Sequence, residues 1–255
     1  MHAEIETTLD GIRDIKVYQN KNGYRFSADA LLLCSFVNVK HVDNIADLGT
    51  GSGIIGLLLA GKYSDAKILL VELQESLYNL AERNVLLNCM EDRVKVMLAD
   101  IKDMRKTVLP MSYDLVVSNP PFRKPETGRL SPGNEKAVAR HELRLKLEDL
   151  AATVSHLLKA RGRFCMIFHP ERLFEIIDTL RRTRLEPKRL RFVHNDIYAT
   201  SKIALIEAVK DGQAGIKIEK PLFMYNEKGE YTAEVNEMYG KKRTRQSRLT
   251  YEPKL

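Results

Sequence analysis

The chain is poor in cysteine: three among 255 residues. Cys34, Cys89 and Cys165 are scattered and form no Cys-x-x-Cys pair, so they read as reduced core thiols of a cytoplasmic protein. Long apolar runs are missing too. Ala30 to Val37 is among the longest, far short of the ~18 residues that cross a membrane. The first residues, Met1-His2-Ala3-Glu4-Ile5-Glu6, are acidic early and have no apolar h-region, so no secretory signal is expected. Internal repeats and low-complexity tracts are absent. With 44% hydrophobic and 29% charged residues, the composition fits a folded globular protein and argues against global disorder. A chain of this length can bury a large core and needs no disulfide or metal staple.

Positive charge is in excess. Lys and Arg number 41 against 34 Asp and Glu, a formal net charge of +7. Gly240 to Leu255 has a net charge of +5, Arg181 to His194 also +5, and the first fourteen residues are acidic. Two basic clusters point to a polyanion, most simply nucleic acid. A solvated helix end and a polar tail would look the same, so charge alone does not name a function.

From Ile45 onward, short apolar runs alternate with helix-period segments. Strands are expected over Ile45–Leu48, Lys67–Leu73, Arg93–Leu98, Tyr113–Ser118, Gly162–His169, Arg189–His194 and Ile203–Val209. Helices are expected over Ile54–Tyr63, Gln74–Asn88, Leu143–Ala160 and Glu171–Thr183. That alternation predicts an α/β fold with a mostly parallel sheet and helices on both faces. The last two strands have no helix between them, so that pair is expected to be antiparallel. Residues 1–44 precede the first core strand, 45–210 form the core, and 211–255 read as a small β appendage with a basic tail. The long polar stretch Arg123 to Arg140, with Pro125, Gly128, Pro132 and Gly133, is longer than an idle loop.

Asp47-Leu48-Gly49-Thr50-Gly51-Ser52-Gly53 follows a strand and opens a helix, which suits close approach of a ligand at the carboxyl edge of the sheet. Gly51, Gly53 and Gly56 satisfy the dinucleotide pattern G-x-G-x-x-G, with Glu72 about twenty residues on. A nicotinamide oxidoreductase is therefore one reading. The other is an S-adenosylmethionine (AdoMet) site. There Asp47 would bind the methionine ammonium, Glu72 the ribose hydroxyls and Asp100 the adenine amine. Acids ending three successive strands suit a cationic nucleoside better than a diphosphate.

The fourth strand ends in Asn119-Pro120-Pro121-Phe122. The Asn119 side-chain carbonyl and the Pro120 backbone carbonyl can accept from one planar amine, while prolines donate nothing that competes. Phe122 can stack on the base bearing that amine. The nitrogen then attacks a sulfonium methyl in line, and the carbonyl dipoles stabilise the positive charge that moves onto it. His141 and His169 read as structural or substrate contacts.

Asp47 to Gly53, Glu72, Asp100 and Asn119 to Phe122 together resemble the class I AdoMet-dependent amino-methyltransferases. Within these, the chain resembles the bacterial tRNA1(Val) adenine-37 N6-methyltransferase family. The likeness extends to Gly23-Tyr24-Arg25-Phe26-Ser27-Ala28-Asp29-Ala30, to Ala139-Arg140-His141-Glu142 and to Pro221 to Tyr239. It implies a Rossmann-like sheet of seven strands with the last antiparallel. It implies AdoMet as cofactor, leaving as S-adenosyl-L-homocysteine, and cofactor contacts from Phe26, Ser27, Asp29, Asp47, Gly49, Gly51, Gly53, Glu72, Leu73, Asp100, Ile101 and Asn119. It also implies an RNA substrate, most simply tRNA, held by Arg123, Lys124, Arg129, Arg140, Lys241, Lys242, Arg243 and Arg245, with no metal and no membrane involved. The family often has Tyr where this chain has Phe122, and the Arg123 to Pro132 insert is longer and more basic than the family pattern. Other readings are an rRNA adenine or guanine N-methyltransferase, a protein glutamine N5-methyltransferase, which uses the same Asn-Pro-Pro motif, and a non-catalytic RNA-binding module. Monomer and homodimer both remain open.

Overall fold

A computed structural model describes residues 7–20, 28–120 and 147–240. Its centre is a sheet of nine strands. Seven form the body: β3 (Asn44–Leu48), β4 (Lys67–Glu72), β5 (Val94–Leu98), β6 (Tyr113–Ser118), β7 (Leu158–Phe168), β8 (Leu185–His194) and β9 (Ile203–Lys210). The order across these seven is β5-β4-β3-β6-β7-β9-β8. β9 inserts between β7 and β8 and runs antiparallel to both, whereas the pairings among β3, β4, β5, β6 and β7 are parallel. The short strands β10 (Lys217–Ile218) and β11 (Leu222–Phe223) add in parallel to the outer edge of β8.

The central strands are apolar because helices cover both sides. β3 reads Asn-Ile-Ala-Asp-Leu and is buried from its second residue on, the pattern of a strand covered on two faces. One face is covered by α1 (Ala28–Phe36), α2 (Ile54–Lys62) and α3 (Glu75–Leu87), and the other by α4 (Met104–Thr107), α5 (Leu147–Leu157) and α6 (Leu173–Arg182). In α5, Leu147, Leu150, Ala151, Val154 and Leu157 form one buried stripe. By contrast α2 is buried from Ile54 through Ala60. Its outer side is closed by α1 and by an N-terminal hairpin, β1 (Thr7–Ile12) and β2 (Ile15–Asn20).

Tyr113–Ser118 was expected at those bounds, and the other core elements lie within a few residues of expectation. Three differences are larger: the hairpin β1–β2 has no counterpart among the expected elements, and two more follow. β7 begins at Leu158, where the helix was expected to continue to Ala160, because Leu158 pairs with Tyr113 before an irregularity that returns the register at Arg163. Arg161 takes the left-handed conformation there, φ 65°. The segment after β9 also contains a helix, α7 (Ala233–Tyr239), which the sequence reading lacked. Thr232 caps it by accepting from Val235 N.

Candidate active site

The site builds at the carboxyl edge of the parallel strands, where ligands bind in open α/β sheets. β3 and β6 are direct neighbours, Leu48 opposite Ser118. The glycine turn after β3 and Asn119 after β6 are therefore one strand spacing apart, ~4.8 Å. The Ser118 hydroxyl donates to the Leu48 carbonyl at 2.7 Å and ties the two strand ends together.

The turn itself is built on carboxylates. Gly49, Gly51 and Gly53 have φ of 73°, 62° and 86°, a conformation that L side chains resist. The turn's amides are engaged: Gly51 N donates to Glu72 Oε2 at 2.9 Å, Gly49 N and Thr50 N donate to the Val71 carbonyl, and Gly53 N to the Thr50 carbonyl. Asp47 is fully buried. Its Oδ2 accepts from Thr50 Oγ1 at 2.6 Å and Gly56 N at 3.0 Å, while its Oδ1 is buried with no hydrogen-bond partner. An unpartnered buried carboxylate oxygen is costly, and burial pushes the Asp47 pKa up to about 7 against the pull of Thr50 and Gly56. A cationic ammonium is the group that would relieve it.

Glu72 ends β4 and is almost fully buried. Its Oε1 accepts from Leu73 N and Gln74 N, both at 2.9 Å. A carboxylate offers about four acceptor positions, so with Gly51 one remains. Asp100 stands two residues beyond β5 and caps the turn at Ile101–Asp103 by accepting from Lys102 N at 3.0 Å. Ile101 is buried and its carbonyl accepts from Thr153 of α5. Asp29 lies in the first turn of α1. Asn119 is partly buried and Pro120 buried. Phe26, Ser27, Pro121, Phe122, Arg123, Lys124, Arg129, Arg140, His141, Lys241, Lys242, Arg243 and Arg245 lie outside the described residues. His169 is exposed at the end of β7.

The dinucleotide pattern has another cause. Gly56 is required by packing, since a Cβ there would stand 2.1 Å from Leu70 Cδ2. With Asp47 and Glu72 beneath the turn, the amides that would cradle a pyrophosphate are taken up, Gly51 and Gly56 by carboxylates and Gly49, Thr50 and Gly53 by backbone carbonyls. The donor set fits AdoMet and repels a diphosphate.

Two residues that the sequence does not single out, Thr50 and Asn84, hold this geometry. Thr50 fixes one oxygen of Asp47. Asn84, fully buried in α3, donates to the Ser52 carbonyl and exchanges hydrogen bonds with the Tyr18 backbone, joining the turn to the hairpin. Ser52 has a buried hydroxyl oxygen without a partner. A polar Asn on the buried side of an amphipathic helix was the visible signal for Asn84.

One expectation is corrected. Arg181 to His194 is one of the two basic clusters that point to a polyanion, but its arginines are ion-paired within the fold. Arg181 pairs with Glu186, Arg182 with Asp178, Arg184 with Asp211 and Arg191 with Glu234. Arg189 bridges Glu219 and the fully buried Glu207, which Arg163 also meets. Asp178 and Glu186 are near in sequence, whereas Asp211, Glu207, Glu219 and Glu234 come from farther along the chain. Cys34 and Cys165 are buried as expected, but Cys89 is exposed just beyond α3. Among the described residues no group of three or more His, Cys, Asp or Glu is placed to hold a metal ion, and no helix is long and apolar enough to cross a membrane.

Sheet order, antiparallel β9 and an acid-lined glycine turn define a class I AdoMet-dependent methyltransferase. Residues 24–143 match the family model described as "Methyltransferase small domain". The fold is similar to a crystal structure of a predicted O-methyltransferase from Agrobacterium tumefaciens, with a TM-score of 0.67 and 22% identity over 82% of this chain and 94% of the other. A relative from Pedobacter heparinus, named tRNA1(Val) (adenine(37)-N6)-methyltransferase, is 31% identical over 72% of this chain and 76% of its own length. A relative of the same name from Phocaeicola vulgatus is 28% identical over 89% of this chain and 95% of its own length. The chain belongs to this tRNA1(Val) (adenine(37)-N6)-methyltransferase family. It is an enzyme, and its cofactor is S-adenosyl-L-methionine.

Proposed function

We propose that the protein methylates the exocyclic N6 amine of an adenine in tRNA. The observation that carries this reading is the placement of Asn119-Pro120 directly after β6, one strand spacing from the turn that holds Asp47. The names of the relatives supply the same substrate class.

AdoMet, when bound, supplies a methyl group activated by its sulfonium. The chain's own residues do the rest. Asp47 Oδ1 takes the ammonium. Glu72 takes one ribose hydroxyl as it stands, and a second only if an amide lets go. Asp100, beside Ile101, faces the adenine amine of the cofactor, and Phe26, Ser27, Asp29 and Leu73 complete the enclosure. Asn119 Oδ1 and the Pro120 carbonyl accept both hydrogens of the target amine. They hold its lone pair in line and stabilise the positive charge that develops on nitrogen. The excess proton then leaves to solvent, so no strong base is required. The target base must leave its stack to reach Phe122. Arg123, Lys124, Arg129, Arg140 and the tail from Lys241 to Arg245 hold the phosphates. In this reading 1–44 cover the cofactor, 45–210 perform the chemistry and 211–255 serve the RNA.

Asn119→Ala tests the proposal. Methyl transfer to tRNA lacking the modification, followed by nucleoside mass spectrometry, should fall at least 100-fold, while AdoMet affinity by calorimetry stays within a few fold. Full activity in the variant would place amine activation elsewhere.

A further inference from the structure

A second feature of the same edge is not used by the methyl-transfer site. The loop joining β8 to β9 and the segment after β11 line an open cavity of about 570 Å³, bounded by Asn195, Ile197, Tyr198, Tyr225, Asn226 and Glu227. Tyr198 is 84% exposed and Ile197 51%, although the loop beneath them is well braced. Asp196 Oδ1 accepts from Tyr198 N at 2.8 Å and Ala199 N at 3.0 Å, and Tyr225 N donates to the Asn195 carbonyl at 2.8 Å. Behind the cavity Tyr225 stacks on Tyr231, with centroids 5.0 Å apart, and Tyr231 on Tyr239 at 5.3 Å. A braced loop presenting an aromatic ring to water is a surface prepared for a planar partner.

Sheet register places this feature relative to Asn119. Ser118 is level with Met166, Met166 with Ile206 and Ile206 with Leu190. β8 is three strand spacings from β6 and continues four residues past Leu190 to His194. That puts the cavity about 14 Å sideways and about 13 Å outward, roughly 20 Å from Asn119, a span of a few nucleotides. The edge shared with Asn119 and the basic sequence that follows favour the nucleic-acid substrate as the occupant. Lys202 and Lys228 are exposed on the two loops that line the cavity. The strongly basic segment 241–255 begins two residues after Tyr239, the last ring of the stack. Two acids also line the cavity: Asp196 is engaged by its own loop, and Glu227 is exposed beside Lys228.

Resting on the tRNA reading above, we propose that Tyr198, backed by Ile197 and Tyr225, forms a stacking subsite for an unpaired base of the RNA a few nucleotides from the methylated adenine. Stacking on aromatic rings tolerates any base, so the subsite sets the path and register of the strand and leaves the choice of base to the Asn119 pocket.

The test uses the full-length enzyme saturated with S-adenosyl-L-homocysteine and an anticodon stem–loop RNA with 2-aminopurine at single positions around the target. Binding should quench the probe at one flanking position, and Tyr198→Ala should abolish that quench. Under turnover Tyr198→Ala should raise KM for the RNA about tenfold while kcat at saturating RNA, AdoMet affinity and Tm stay unchanged. Tyr198→Phe, which keeps the ring, should stay within twofold of the parent. An unchanged KM and quench in Tyr198→Ala, with the parent active on RNA, overturns the subsite and leaves the methyltransferase reading standing. An equal defect in Tyr198→Phe overturns stacking as the cause. A parent enzyme that methylates no RNA overturns both.

Discussion

Asp47 shows how much of this site is an electrostatic argument about one oxygen atom. Its carboxyl is buried, satisfied on Oδ2 and unpartnered on Oδ1, and its pKa is pushed up to about 7. In the unfolded chain an aspartate loses its proton near pH 4. Between those values the cofactor-free fold holds a proton that the unfolded chain has released. Stability of the free enzyme therefore declines as pH rises through this window, and the loss is complete above about 7. Cofactor binding runs the other way, because an ammonium needs the ionised carboxylate. AdoMet affinity should fall by up to about tenfold per pH unit below 7. Calorimetric titrations from pH 6 to 8 measure that slope, and Asp47→Asn should weaken binding at pH 8 and flatten the dependence. The same slope in the Asn variant would assign the titration to another group. At this scale the sequence was partly legible. An acid before three alternate glycines was visible; Asn84 showed only as a polar residue on the buried side of a helix and Thr50 not at all, because a hydroxyl or amide becomes a positioning group only once its partner is folded against it.

At the scale of elements, the join between α2 and β4 decides how close the turn can sit to the sheet. Gly56 lets the helix rest on Leu70, and a Cβ would meet Leu70 Cδ2 at 2.1 Å. Gly56→Ala should cost about 1–3 kcal/mol in denaturant unfolding, and Leu70→Val in the same chain should recover part of that by withdrawing the clashing methyl. An unchanged midpoint in the single variant would mean that the helix shifts freely. The G-x-G-x-x-G match thus combines two left-handed turn glycines with one packing glycine. Apolar runs such as Ile68–Val71 were readable as strands because they are buried on both faces. The hairpin Thr7–Asn20 was passed over, although Ile15, Val17 and Gln19 alternate inward, since three alternating residues are a weak signal without the α2 surface they cover. The left-handed Arg161 ending the Leu158–Gly162 irregularity was likewise hidden, because a helix-period pattern runs into it unbroken.

Across the whole molecule, positive charge is concentrated in two segments of the sequence. Residues 121–146 have a net charge of +4 and 241–255 of +5, which leaves −2 for the rest of the chain. Deleting Lys241–Leu255 should weaken tRNA binding and flatten its salt dependence with AdoMet affinity unchanged. Arg182→Gln, which removes a paired cation, should leave the salt slope as it was. Filter-binding titrations across salt concentration compare the two, and equal slopes for parent and deletion would give the tail another role. The sequence by itself determined the chemistry: the order of apolar runs, the acids that end them and Asn119-Pro120 are local features, and each follows from a strand, a turn or a functional group that needs no distant partner. Only the tertiary structure decided which charges are available. Most of these ion pairs join residues far apart in the chain, so Arg181 to His194 looked as basic as the tail until Asp211, Glu207, Glu219 and Glu234 were brought against it.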